Sequence, residues 1–190
     1  MSSSNVESIL NHGGIAVIPT DTLYGIVAKA HDREAAMRLY RLRRKGAGKP
    51  FIVLIDSLEQ LRNFGITLTS KQRTFLNHVW PGKVSVILPC TAKKFAYLHL
   101  GTETLAFRLP KSKKLQMLLK ETGPLLAPSA NPEGEKPATT IAEAKKYFGE
   151  DVDVYTSAGK MDSKPSTLVS LLSEIPNILR QGAVKIKIQK

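Results

Sequence analysis

Five short stretches of this chain carry side chains that could do chemistry, and each is a polar island beside an apolar run. The first is Thr20-Asp21-Thr22 with Tyr24 and Gly25, placed after Ile15–Ile18 and Pro19. Proline has no N–H for a sheet ladder, so hydroxyls and a carboxylate gather just where a buried strand should end. In an open α/β sheet that is where ligands bind. The second stretch is the basic segment Arg38–Lys49, with Arg41, Arg43, Arg44 and Lys45 beside the turn Gly46-Ala47-Gly48. Its cations suit phosphate oxygens, as point charges or as guanidinium forks. The third is Pro128-Ser129-Ala130-Asn131, whose hydroxyl, amide and backbone N–H groups can face an anion. The fourth is Arg108 in the apolar run Leu105–Leu109, where an unpaired cation is costly and a carboxylate or phosphate partner is required. The fifth combines Lys164-Pro165-Ser166-Thr167 with Arg180 and Gly182 near the end of the chain.

Taken singly, each stretch also reads as a turn or a solvated basic face. No histidine or other base is tied to Ser129, and no carboxylate pair of the glycosidase kind is present. Gly46-Ala47-Gly48-Lys49 looks like a phosphate-binding loop, but Pro50 stands where that loop needs Ser or Thr. Hydroxyls, cations and amides at strand ends bind and orient a multi-part anionic substrate. That profile suits nucleotidyl transfer, which relies on orientation and charge stabilisation.

Composition narrows the partners. The 190 residues are 42% hydrophobic and 23% charged, enough for one domain with a sizeable core. No apolar run approaches the roughly 20 residues that cross a bilayer, so no membrane role is expected. Cys90 is the only cysteine and the four histidines are scattered, which points to a reducing cytoplasm and to no metal cage. Lys and Arg outnumber Asp and Glu by 28 to 16, a net charge of +12 that draws phosphates on nucleotides or RNA.

The elements that must position these groups follow from periodicity. Helices are expected at Asn5–Asn11, after Asp32, at Ser57–Phe64, Thr69–Trp80, from Ser112 through Glu121, and at Thr140–Phe148. Strands are expected at Ile15–Ile18, Phe51–Ile55, Val84–Leu88, Thr104–Leu109, Leu125–Pro128, Asp153–Tyr155, Thr167–Leu172 and Asn177–Arg180. Their interleaving predicts a single α/β domain over residues 1–190, an open twisted mixed β-sheet with flanking helices and a basic concave face. Residues 185–190 form a charged tail expected to fray.

Seven landmarks in order carry a resemblance that covers Val17 to Ala183. They are IPTDTLYG (Ile18–Gly25), KPFIVL (Lys49–Leu54), WPGKVS (Trp80–Ser85), LAFRLP (Leu105–Pro110), APSANPEG (Ala127–Gly134), PSTLV (Pro165–Val169) and LRQGA (Leu179–Ala183). In this order and spacing the chain resembles the YrdC/TsaC family of threonylcarbamoyl-AMP synthases, in its short single-domain bacterial form. The resemblance implies an L-threonylcarbamoyladenylate synthase that joins L-threonine, bicarbonate and ATP, releasing pyrophosphate. Downstream threonylcarbamoyl-transfer proteins then modify tRNA.

By that resemblance Thr22, Arg108, Ser129 and Ser166 hold threonine or its carbamate. Lys45, Lys49, Thr104, Asn131, Thr139 and Arg180 hold the nucleotide, with Lys45, Lys49 and Arg43 as the catalytic cations. No protein metal site is implied; Mg2+ arrives with ATP. The chain also departs from the family pattern. Lys-x-Arg-Pro reads Arg43-Arg44-Lys45-Gly46, so the two cations are exchanged, and Glu133 replaces the second serine of SANxSG. A different reading is a non-catalytic protein that binds tRNA, rRNA or double-stranded RNA through the basic face. It needs no turnover, only a steep salt dependence.

Overall fold

The computed structural model describes residues 3–44, 46 and 50–186. A nine-stranded mixed sheet runs through it in the order β7-β1-β2-β6-β3-β5-β4-β8-β9. The strands are β1 (Ala16–Pro19), β2 (Tyr24–Lys29), β3 (Ile52–Leu54), β4 (Val84–Pro89), β5 (Thr104–Arg108), β6 (Leu125–Leu126), β7 (Val154–Tyr155), β8 (Thr167–Ser170) and β9 (Asn177–Arg180). The helices are α1 (Ser3–Asn11), α2 (Arg33–Leu42), α3 (Ser70–Val79), α4 (Ala96–His99), α5 (Lys113–Thr122) and α6 (Ile141–Phe148). Their starts are set locally: Asp32, Thr69, Ser112 and Thr140 each accept a backbone N–H of the first turn.

Alternation along the strands divides the core in two. Val17, Val53, Phe107, Val86 and Val169 point to a large cluster built with α2, α3 and the 3-10 turn Glu59–Phe64. Ala16, Ile18, Leu54 and Leu125 point the other way, onto α1 and α5 through Val6, Leu10, Leu115 and Leu118. In β5 and β4 the same alternation turns Arg108 and Ser85 away from the large cluster. Neither they nor any other residue of β4, β5, β8 or β9 joins the second cluster. On this half of the sheet the second face mixes Arg108 and Ser85 with Ile87, Ala106 and Leu168, and none of these packs into the cluster around α1 and α5.

Most expected elements appear within a residue or two of their predicted bounds. Three differences matter. β2 was not anticipated, because Tyr24–Lys29 is interrupted by Gly25; it pairs antiparallel with β1 and makes IPTDTLYG a hairpin rather than a polar loop following a strand. Ser57–Phe64 is a 3-10 turn over Glu59–Phe64, not an α-helix. Lys93–His99 adds a short helical connection that the pattern did not suggest.

Asp153 ties β7 to the rest of the domain. Its carboxylate accepts from the Ile15 N–H at 2.7 Å and from Arg38 Nη1 at 2.9 Å. Burial alone would raise its pKa, but the Ile15 N–H and the Arg38 guanidinium outweigh burial and hold it below the usual aspartate value. Its folded pKa is depressed, so its stabilisation is present above the unfolded pKa and lost as pH falls through the folded one. Asp153→Asn is expected to lose less stability than the parent as pH falls below the ordinary aspartate range, by at most about 1 kcal/mol because the pair is part-exposed. Denaturant midpoints over that fall in pH measure it.

Candidate active site

The hairpin between β1 and β2 supplies the centre of the site. Thr20 Oγ1 accepts the N–H groups of Thr22 and Leu23, and donates to the Leu23 carbonyl at 2.7 Å. This hydroxyl-closed turn fixes Asp21 and Thr22 beside the end of β5. There Arg108 donates through Nη1 to Thr22 Oγ1 at 3.1 Å, and its Nη2 lies 3.1 Å from Asp21 Oδ1. The expectation that Arg108 must meet an anion is met by Asp21. Both side chains are nearly sealed from solvent, 4% exposed for Arg108 and 7% for Asp21. Burial lowers the Arg108 pKa, Asp21 opposes that shift and Arg180 reinforces it.

β8 and β9 bring the next groups. Ser166, just ahead of β8, hydrogen-bonds Ser85 Oγ on β4 at 2.8 Å. Arg180 at the end of β9 grips the Ser166 carbonyl through Nε and Nη2, at 3.3 and 2.9 Å. Sequence reasoning placed Arg108 and Arg180 at the ends of strands and Ser166 in the segment leading into one. The structure agrees: Arg108 and Arg180 end their strands, and Ser166 precedes β8, which runs antiparallel to β9. A mixed sheet brings both kinds of strand end to one place. Ser129 joins through the backbone: it bridges Gly25, while the Ala130 N–H donates to the Tyr24 carbonyl at 2.8 Å. Tyr24 Oη donates to the Gly159 carbonyl and accepts the Ala158 N–H, and Ser163 Oγ donates to the Thr22 carbonyl. The segment between β7 and β8 is thus strapped across the hairpin.

The expected nucleotide residues are not gathered in one place: Arg180 lies with the Arg108 group, while Asn131, Thr139 and Thr104 each make local contacts of their own. Asn131 is buried, with Nδ2 donating to the carbonyls of Pro132 and Glu135 at 2.8 Å and Oδ1 accepting from no described protein group. Thr139 is held by the Glu143 carboxylate, and Thr104 Oγ1 by Thr102 Oγ1 at 3.2 Å. Neither hydrogen-bonds the Arg108 group. Arg43 is 6% exposed, with its guanidinium 5.6 Å from the Phe51 ring, which stacks on Tyr40. Burial pushes the Arg43 pKa down to about 10, against the opposing field of Glu133. Lys45 and Lys49 lie outside the described residues. One expectation is corrected here: Arg38, counted among the phosphate-facing cations, is spent on Asp153 and the Asp151 carbonyl.

Glu133 links the two departures from the family pattern. Its N–H donates to the Arg43 carbonyl at 2.8 Å, and its carboxylate accepts the Gly46 N–H at 2.8 Å. The exchanged basic segment is therefore stitched to the Asn131 loop by the residue that replaces serine. Asp21, Ser85, Tyr24, Ser163 and Glu133 were assigned no ligand in the sequence reading. Asp21 and Tyr24, inside the polar hairpin, and Glu133, a departure from the family pattern, carried a visible signal; Ser85 and Ser163 did not stand out. A cavity of about 1180 Å3 lies elsewhere, between α3 and Val184–Ile186, and includes none of these site residues.

Comparison with known proteins adds to the geometry. The Sua5_yciO_yrdC family model, described as telomere recombination, matches residues 8–182. The chain belongs to the Sua5/YciO/YrdC family. Within that family it is 33% identical over 184 residues to a putative threonylcarbamoyl-AMP synthase of Mycobacterium leprae, covering 96% of this chain and 84% of that one. It is 32% identical over 189 residues to the threonylcarbamoyl-AMP synthase of Bacillus subtilis, covering 95% of this chain but 53% of that protein, so it spans about half of that relative. Sua5 of Pyrococcus abyssi complexed with L-threonine superposes with a TM-score of 0.87 at 26% identity, covering 95% of this chain and 54% of that one. Escherichia coli YciO superposes with a TM-score of 0.86 at 26% identity, covering 97% and 91%. The expected α/β architecture with a large mixed sheet is thus the family fold.

Proposed function

We propose that this protein is an L-threonylcarbamoyladenylate synthase, forming threonylcarbamoyl-AMP and pyrophosphate from L-threonine, bicarbonate and ATP for tRNA modification. The observation that carries the reading is the buried Arg108 group with Thr22, Ser166 and Arg180 around it. It stands in a chain whose relatives are named as such synthases, one of them solved with L-threonine.

In this reading Arg108 takes the threonine carboxylate, since a guanidinium can grip it with charged hydrogen bonds. Thr22, Ser129 and Ser166 supply hydroxyls for the amino acid and its carbamate. Lys45, Lys49 and Arg43 neutralise the triphosphate as pyrophosphate leaves, and Asn131, Thr139, Thr104 and Arg180 hold the rest of the nucleotide. Mg2+ enters with ATP as part of the substrate. The chemistry asks little of any side chain as an acid or base. Orientation of the carbamate oxygen against the α-phosphorus and shielding of charge do the catalysis. Downstream proteins that transfer the threonylcarbamoyl group to tRNA would consume the product, and the cytoplasm is where those substrates meet.

Product identity tests this. Labelled bicarbonate incubated with ATP and L-threonine is expected to appear in an adenylate that hydrolyses to AMP. Label that stays in bicarbonate while ATP and threonine both bind would contradict the proposal.

A further inference from the structure

We propose that Asp21 is the partner of the substrate's α-ammonium group, set beside Arg108 as the partner of its carboxylate; this rests on the amino-acid reading above. Asp21 is 93% buried by side chain, yet neither of its carboxylate oxygens accepts a hydrogen bond from any described protein group. Arg108 Nε, equally buried, donates to none either. The two charges sit 3.1 Å apart without forming the paired fork that guanidinium and carboxylate adopt when each serves only to neutralise the other. Buried polar groups are nearly always hydrogen-bonded, and a charged pair left short of its bonds is costly. A pair kept this way has donors and acceptors to spare for a ligand.

The charge pattern identifies the ligand class. Asp21 lies against Arg108 at 3.1 Å, and Arg180 is held nearby on the Ser166 carbonyl with its charge reaching Arg108, so two cations and one anion serve this corner of the site. A phosphate or a plain dicarboxylate arriving there would press negative charge against Asp21. A zwitterion would not: its carboxylate turns to Arg108, and its ammonium turns to the free Asp21 oxygen. Both new contacts are charge-assisted. Thr22 Oγ1 already accepts from Arg108 and so marks the carboxylate side, while the Ser85–Ser166 hydroxyl pair lies toward Arg180. The hairpin turn closed by Thr20 holds the Asp21 backbone in place whether or not the carboxylate is engaged.

The test compares L-threonine with 2,3-dihydroxybutanoate, which keeps the carboxylate and side-chain hydroxyl but has no ammonium. Calorimetric titration of the wild-type protein is expected to show threonine binding on the order of tenfold or more tighter than the analogue, the size of one charge-assisted hydrogen bond. Asp21→Asn should remove most of that preference, weakening threonine on the order of tenfold while the analogue changes little, and Asp21→Glu should restore part of it. Equal weakening of both ligands in Asp21→Asn would make Asp21 a counter-ion only and overturn the inference. If the variant does not fold, the wild-type comparison decides alone: equal affinities, or tighter binding of the analogue, overturn it. Failure of the wild-type protein to bind either ligand would instead overturn the amino-acid reading itself, and the inference with it.

Discussion

Replacing Arg108 with alanine is expected to weaken threonine binding and to destabilise the fold at the same time. Affinity should fall by about 1.5–3 kcal/mol, the contribution of a hydrogen bond to a charged group, or roughly 10- to 100-fold. Stability should fall by about 3–5 kcal/mol, because the variant leaves Asp21 as a buried carboxylate whose partner cation is gone. The two effects separate in the double variant Asp21→Asn/Arg108→Ala. Removing the stranded charge should return most of the stability and none of the threonine affinity. Arg108→Lys keeps the charge but loses the fork, and should fall between. Urea midpoints and threonine titrations on the same samples measure both. Unchanged threonine affinity in folded Arg108→Ala would contradict the assigned role.

Gly182→Ala is the second change expected to have a large effect, although Gly182 touches no substrate group. A Cβ on Gly182 would run into the Pro165 carbonyl and come within 2.6 Å of the Ser166 backbone. Those are backbone atoms, so relief requires the chain ahead of β8 to move. The same short region holds the Ala183 N–H on the Pro165 carbonyl and the Gly182 N–H on Thr167 Oγ1 at 3.0 Å. It also holds the Arg180 guanidinium on the Ser166 carbonyl. Displacing it moves Ser166 and Arg180 together. Overpacking of this kind costs about 1–3 kcal/mol, and a misplacement of about 1 Å at reacting groups costs on the order of 100-fold in rate. Adenylate formation well below the melting temperature should therefore drop far more than the folded fraction does. Parent-like turnover in this variant would show that Ser166 and Arg180 do not position substrate.

The fold was largely legible from the chain because its devices are local. Asp32, Thr69, Ser112 and Thr140 announce their helices within three residues, and Arg108 stands out in Leu105–Leu109 as a cation that must find an anion. The anion itself was harder to read. Asp21 was visible as a polar residue, but its contact with Arg108 depends on how β1, β2 and β5 are ordered in the sheet, and the neighbouring Thr22 contact spans 86 residues. Ser85 was invisible for a related reason: one serine in an apolar strand gains meaning only when β8 places Ser166 against it. Charge composition misled at Arg38, which lies in the helix that Arg43 caps but is drawn by Asp153 away from it. Glu133 shows the opposite case. Its departure from the family pattern was readable, and only the structure shows that it meets the other departure at Arg43 and Gly46.

The most direct measurement is pyrophosphate release from ATP and bicarbonate, with L-threonine, with L-serine and with neither. The account predicts release that depends on threonine, falls with serine and is lost in Arg108→Ala. Release that ignores the amino acid, or none at all from protein that binds both ATP and threonine, would contradict it.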